Sequence, residues 1–507
     1  MIKQHCVHIL KPTTKQLTDD QRTQKEIKNT QHFIISAQHF IKRAKKHQQN
    51  AEDITKKEVS LVNEDKNLEY EEIKKLLPEE TMNPTVAQLA IQNFQLKMVD
   101  RDPKKALKLT RHCFNIKLSP VTPCNQKFSG RCWMFAGLNI LRPYFIQKFG
   151  LKPNFELSQS YLFFWHYYEQ YNAMMNLFHY KTLTPEEKAL YLEKPLHDGG
   201  NWITFRRLVT KYGIVPGDSD GETWPSSHSS EMNSILCAML QEDLKDTDGM
   251  SDENFKKHQR SSRTKVLKTL CLWMGRPPTG PIELMGETND RKSWINVQFD
   301  TPMTMFKAVD AAYHISEHVQ IIIDPRAKEE TPWYTTQHQE LRGTPELLLN
   351  ETNTDTICQY IKQSLLKNMG FQNCQRQDVI GMGVWFACNI KENVSSVLQG
   401  MDKGLYRPDI FIGASLDMGK KDRIKWGRAR CNHAMLITGV LEENGRVTAF
   451  QIQNSWGATG PHLGYYKMTR DWFDEYVHTV VIHDSMFATL PEAPTNPTEL
   501  KYYDFFG

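Results

Sequence analysis

The run Cys124-Asn125-Gln126-Lys127-Phe128-Ser129-Gly130-Arg131-Cys132-Trp133-Met134-Phe135-Ala136-Gly137 decides how this 507-residue chain is read. It leads into Leu138, Leu141 and Phe145, whose spacing predicts a helix that begins near Cys132. A cysteine in the first turn of a buried helix meets unpaired backbone N–H groups and the positive end of the macrodipole, both of which favour thiolate over thiol. A nucleophile belongs at such a position. Six residues upstream, Gln126 can fold back so that its amide and the Cys132 N–H meet the oxygen of a tetrahedral intermediate. Gly130 permits the tight turn this requires.

Far downstream, Cys431-Asn432-His433-Ala434-Met435-Leu436-Ile437-Thr438-Gly439-Val440 places a histidine at the mouth of an apolar strand. Twenty-one residues after His433, Phe450-Gln451-Ile452-Gln453-Asn454-Ser455-Trp456-Gly457 reads as a strand ending in an amide and then an indole. The Asn454 oxygen can accept from one imidazole nitrogen and fix the tautomer, while Trp456 keeps water off that bond. Taken singly these residues are ambiguous, since most cysteines merely pack and a core histidine is commonly satisfied by hydrogen bonds. Gln126, Cys132, His433 and Asn454 in this order, each in the context its role needs, read together as a thiol-catalysis tetrad.

The chain here resembles the papain-like cysteine peptidases, through Ser129-Gly130-Arg131-Cys132-Trp133 and Asn454-Ser455-Trp456-Gly457. Two departures are informative. Ser129 stands where the signature's first cysteine forms a disulfide in secreted members, and Cys132 and His433 lie 301 residues apart, which requires a large insertion. Both departures resemble the bleomycin hydrolase and aminopeptidase C branch. The match continues through Leu157-Ser158-Gln159-Ser160-Tyr161-Leu162-Phe163-Phe164-Trp165, Asp198-Gly199-Gly200-Asn201-Trp202 and Lys211-Tyr212-Gly213-Ile214-Val215-Pro216.

The resemblance implies an α+β, papain-like two-lobed fold with a helical left lobe, a β-barrel right lobe and a large, mostly helical insertion. The expected divisions are a charged extension over 1–82, the left lobe over 83–235, the insertion over 236–380, the β-rich lobe over 381–489 and a C-terminal arm over 490–507. It further implies a cytoplasmic, cofactor-free and metal-free thiol aminopeptidase acting on peptides as a homohexamer, with Gly507, Trp456, Gly200 and Asn201 as substrate-binding residues. In the branch the arm's carboxylate holds a substrate's amino terminus. The ending Tyr503-Asp504-Phe505-Phe506-Gly507 stops three residues short of the usual one, about 10 Å of extended chain. Oligopeptidase or endopeptidase action is the alternative this raises.

Composition limits the other classes. Hydrophobic residues at 39%, charged residues at 24% and no apolar run near the ~18 residues needed to cross a bilayer exclude a membrane-spanning role. A net charge of +4 is too small for a polyelectrolyte partner of nucleic acid as a whole, although Lys420-Lys421-Asp422-Arg423-Ile424-Lys425-Trp426-Gly427-Arg428-Ala429-Arg430 offers a basic patch for weak nucleic-acid binding. The first 50 residues hold ten basic against three acidic side chains, and the next 50 hold six against eleven, which reads as a solvated extension. Val86 to Phe94 has helical spacing and is expected to open the compact part, whereas 245–263 is polar and reads as an exposed loop. His314-Ile315-Ser316-Glu317-His318 fits H-x-x-E-H, but the strand-like Val319-Gln320-Ile321-Ile322-Ile323 that follows leaves little helix after His318, and no obvious downstream carboxylate motif supplies a third zinc ligand.

Overall fold

The computed structural model describes residues 70–77, 85–290, 293–327, 333–336, 347–367, 381–492, 497–500 and 504–506. The chain divides into two compact units, Met1–Thr85 and Val86–Gly507. The first contributes one described helix, Tyr70–Lys75, and the charge runs before it lie outside the described residues. The sheet, the core and the site belong to the second.

Helix Cys132–Lys148 is buried on nearly every side over its first three turns, with Leu138, Leu141 and Phe145 fully enclosed. Such a helix shows little amphipathic pattern, because it has no solvent face to mark. It packs among helices Gln159–Tyr180, Trp202–Tyr212 and Pro302–Tyr313 in the larger of two main apolar clusters. Gly137 permits this approach, since a Cβ there would lie 2.6 Å from the Phe205 ring.

Against this helix runs a mixed sheet in the order Thr498–Leu500, Trp333–Thr336, Leu347–Asn350, His318–Ile322, Val477–His483, Val384–Cys388, His433–Glu443, Arg446–Gln453, Tyr465–Thr469, Gly400–Met401, Val394–Ser395. Strand Ile116–Lys117 pairs with His433–Glu443 off this path. The strand that begins at His433 contacts helix Cys132–Lys148 and also helix Thr354–Leu366. It is therefore buried over its first eight residues and reads as an unbroken apolar run rather than an alternating one. The second cluster fills the space between the sheet and the helices Thr354–Leu366 and Arg470–Tyr476. The Trp385 indole donates to the Trp133 carbonyl at 3.0 Å, which joins sheet to cysteine helix.

Three segments differ from expectation. Most of 245–263 is not a loop: residues from Asp252 onward form helix Asp252–Met274. Ser251 caps it by accepting from the Asn254 N–H, Asp252 and Glu253 occupy the first turn, and Phe255, Gln259, Ser262, Val266 and Leu270 face inward. Polar Gln259 and Ser262 in that stripe mask the period. Val86–Asn93 is helical as its spacing predicts and begins the second compact unit, yet it does so as a surface helix, since none of its residues is buried and Phe94 is exposed. Within 236–380, the helices are accompanied by a hairpin, Ile282–Glu287 with Trp294–Phe299, and by three strands that extend the main sheet.

Candidate active site

Arg131 is the N-cap residue of the cysteine helix, and Cys132 occupies its first helical position, where a backbone N–H has no intrahelical acceptor. The side chain points at the sheet: the Ala434 N–H donates to Cys132 Sγ at 3.4 Å. His433, one residue earlier, is buried, and its Nε2 donates to Asn454 Oδ1 at 2.9 Å. Asn454 Oδ1 also accepts from the Ser455 N–H at 2.8 Å, so the oxygen faces the imidazole and the ring proton sits on Nε2. Nδ1 keeps its lone pair. The Trp456 ring stacks on the His433 ring at 5.1 Å and 30°.

Gln126 is anchored three ways. Its backbone N–H donates to the Ser455 carbonyl at 2.8 Å, its Oε1 accepts from Ser455 Oγ at 2.5 Å, and its Nε2 donates to the Ser129 carbonyl at 2.6 Å. One amide hydrogen is thus committed and the second remains for another acceptor. The loop before Cys132 is held as firmly. Asp198 Oδ2 accepts from the Gly130 N–H at 2.6 Å and from Ser229 Oγ at 2.5 Å. The fully buried Arg131 guanidinium forms a bidentate pair with Glu222 and lies about 5 Å from the Phe135 and Phe163 rings. At Gly130 a Cβ would come within 2.4 Å of Asp198 Oδ1.

Burial opposes a lone charge on either reacting group. Desolvation pushes the Cys132 thiol up to about 11, against the downward pull of the N–H groups of Ala434 and Trp133. Desolvation also takes the His433 imidazole down to about 4, opposed by its bond to Asn454. The helix terminus acts in the expected direction, but burial is the larger effect. Each shift opposes a lone charge on its own group, whereas a proton shared between Cys132 and His433 belongs to the pair, in which two opposite charges appear together.

A model of the peptidase C1-like family matches residues 66–507. The chain belongs to that family. It is accordingly an enzyme of the cysteine-peptidase class. It is 30% identical over 402 residues to bleomycin hydrolase of Rattus norvegicus, covering 74% of this chain and 84% of that protein. It is 29% identical over 433 residues to aminopeptidase C of Lactobacillus delbrueckii subsp. lactis, covering 82% of this chain and 90% of that protein. The crystal structure of PepW from Lactobacillus rhamnosis superposes with a TM-score of 0.75 at 27% identity, covering 86% of this chain and 98% of that one.

The remaining expected residues fall in several places. Gly200 lies against the Trp133 indole, where a Cβ would meet the ring at 2.6 Å. Asn201 caps helix Trp202–Tyr212 by accepting from the Thr204 N–H at 2.9 Å, so its side-chain oxygen is engaged locally. Gly507 lies outside the described residues, but the arm leading to it does not wholly. Thr498–Leu500 extends the sheet edge, Asp504 pairs with Arg326 at 2.9 Å, and the Phe505 ring lies edge-on to the His478 ring at 4.7 Å. His478 sits on the strand two places from that of His433.

Ser455, Asp198 and Glu222 position the site without having been singled out. The first two lie inside runs quoted for other residues, whereas nothing in the sequence pairs Glu222 with Arg131. The H-x-x-E-H histidines do not converge. His314 is left-handed at a helix end, and His318 is buried on a strand with Nε2 against the Met382 sulfur. In the basic run, Arg423 pairs with Glu475, Lys420 donates to the Val477 carbonyl, and Arg428 and Arg430 bond backbone carbonyls. Among the described residues no helix is long and apolar enough to cross a membrane.

Proposed function

We propose that this chain is a thiol aminopeptidase that hydrolyses peptide bonds through an acyl-enzyme on Cys132. The observation that supports the reading is the Ala434 N–H on Cys132 Sγ, which brings the sulfur to the residue that follows His433, whose tautomer Asn454 fixes. As sulfur adds to the scissile carbonyl carbon, its proton passes to His433 Nδ1. The resulting oxyanion meets the Cys132 N–H and the second amide hydrogen of Gln126. Collapse breaks the carbon–nitrogen bond while the imidazolium protonates the departing amine. Water, losing a proton to the neutral imidazole, then cleaves the thioester.

Aminopeptidase action is favoured by the names of the relatives and by the path of the arm, whose Phe505 reaches a strand near the histidine. The arm's carboxylate would take the substrate's ammonium group. Two-lobed papain-like organisation, a cytoplasmic location and a homohexameric assembly accompany this reading through the family resemblance. Nucleic-acid binding has less support, because most cations of the basic run are committed within the fold. The test is mass spectrometry of products from free and N-acetylated peptides, with Cys132→Ala as control. Trimming of free peptides alone is expected. Internal cleavage of blocked peptides at the same rate overturns the aminopeptidase reading, and undiminished turnover by Cys132→Ala overturns the peptidase chemistry.

A further inference from the structure

Beside the oxyanion-hole residue lie rings that the chemistry does not use. Lys127 has φ 55°, a left-handed turn held by the bond from its N–H to Asn125 Oδ1 at 2.9 Å. That turn sends Gln126 inward, 7% exposed, and Phe128 outward, 78% exposed. The Phe128 ring leans on the His228 ring at 5.2 Å, and His228 stacks on Trp224 at 3.6 Å and 8°. Trp224 is itself 69% exposed. Three rings thus form a continuous accessible shelf.

The shelf is fixed to the catalytic loop at three points. The Phe128 N–H donates to the Ser227 carbonyl at 3.0 Å. Asp198 Oδ2 bridges Gly130 and Ser229, the residue after His228. Arg131 grips Glu222, two residues before Trp224. Short helix Trp224–Ser227 is rigidified by a capping box between Thr223 and Ser226. Phe128 is two residues from Gln126, so the shelf begins within about 7 Å of backbone from the oxyanion hole. A substrate residue two to four positions from the scissile bond spans about 7 to 14 Å.

We propose that Phe128, His228 and Trp224 form a subsite for an aromatic side chain of the peptide substrate, on the portion that leaves with the amine. This rests on the aminopeptidase reading, in which a single residue occupies the acyl side and every further substrate contact falls on the leaving side. Preorganised exposed rings take another ring by offset or edge-on packing, at little entropic cost because the shelf is already ordered.

The test is a position scan. Free-amino-terminal all-alanine pentapeptides are compared with peptides carrying one phenylalanine at the second, third or fourth position, and kcat and KM are measured separately. At one of these positions phenylalanine is expected to raise kcat/KM about three- to tenfold, mainly through KM, as suits a stacking contact made equally in ground and transition states. Phe128→Ala and Trp224→Ala are each expected to collapse the phenylalanine-to-alanine ratio, and Phe128→Tyr to preserve it. A merely structural role would change both peptides alike and leave the ratio intact. A wild-type enzyme that cleaves the peptides without aromatic preference, or a ratio unchanged in both alanine variants, overturns the subsite alone. Failure of the wild type to cleave any of them overturns the peptidase reading and the subsite with it.

Discussion

Replacing Gln126 by alanine tests the oxyanion hole, and Ser455 makes the test sharp. The Gln126 amide is held at both ends, its oxygen by Ser455 Oγ at 2.5 Å and one hydrogen by the Ser129 carbonyl at 2.6 Å. Only the second hydrogen can serve a developing oxyanion, so Gln126→Ala removes one donor. Loss of one such donor costs about 10²- to 10³-fold in kcat. Ser455→Ala leaves the donor but frees its orientation, a loss of about 0.5–1.5 kcal/mol, or about two- to tenfold. Because the two act through one group, the double variant is expected to be no slower than Gln126→Ala. The assay is steady-state hydrolysis of an aminoacyl coumarylamide, with kcat and KM resolved. Multiplicative losses in the double variant would mean that Ser455 acts elsewhere. A loss confined to KM would mean that Gln126 binds substrate rather than transition state.

Further outcomes follow from the same geometry. The log kcat/KM profile should rise through about pH 4, as His433 becomes able to accept a proton, and fall near about 11, as the Cys132 thiol ionises; an alkaline limb below about 9 would refute the argument that burial holds the thiol up. His433→Ala should cost about 10²- to 10⁴-fold in kcat, measured on the same coumarylamide. Gly130→Ala forces Asp198 away and should cost about 10²-fold in kcat while leaving the far-ultraviolet circular dichroism unchanged. Glu222→Gln leaves a buried guanidinium without its anion and should destabilise the fold by about 1–3 kcal/mol, read as a lower denaturant midpoint.

How much of this was legible depended on whether the signal was local. Cys132 announces itself because a nucleophile at a helix terminus needs a particular turn before it and an apolar face after it, all within 20 residues of chain. His433 was readable because a strand buried on both faces leaves an unbroken apolar run with the polar residue at its mouth, whereas Asn454 was read from the amide and indole that follow the mixed strand Arg446–Gln453. Helix Asp252–Met274 was missed because Gln259 and Ser262 occupy inward positions and break the hydrophobic period. The Arg131–Glu222 pair spans 91 residues, and Ser455 reaches Gln126 across 329; no spacing rule connects such pairs, and only the packed sheet and helix bring them together.

The charge of Cys132 shows why a terminus argument is incomplete. Dipole and N–H groups favour thiolate through a few charge–dipole contacts, yet the burial that assembles those contacts also removes the water that would solvate the charge. The same burial lowers the affinity of His433 for a proton. Each shift penalises a single charge, while a proton passed from sulfur to Nδ1 creates two opposite charges side by side and keeps the site neutral. Activation is then a property of the pair and of its alignment. That is why so much of the surrounding structure, from Asp198 on Gly130 to Ser455 on Gln126, holds position rather than supplying charge to the sulfur.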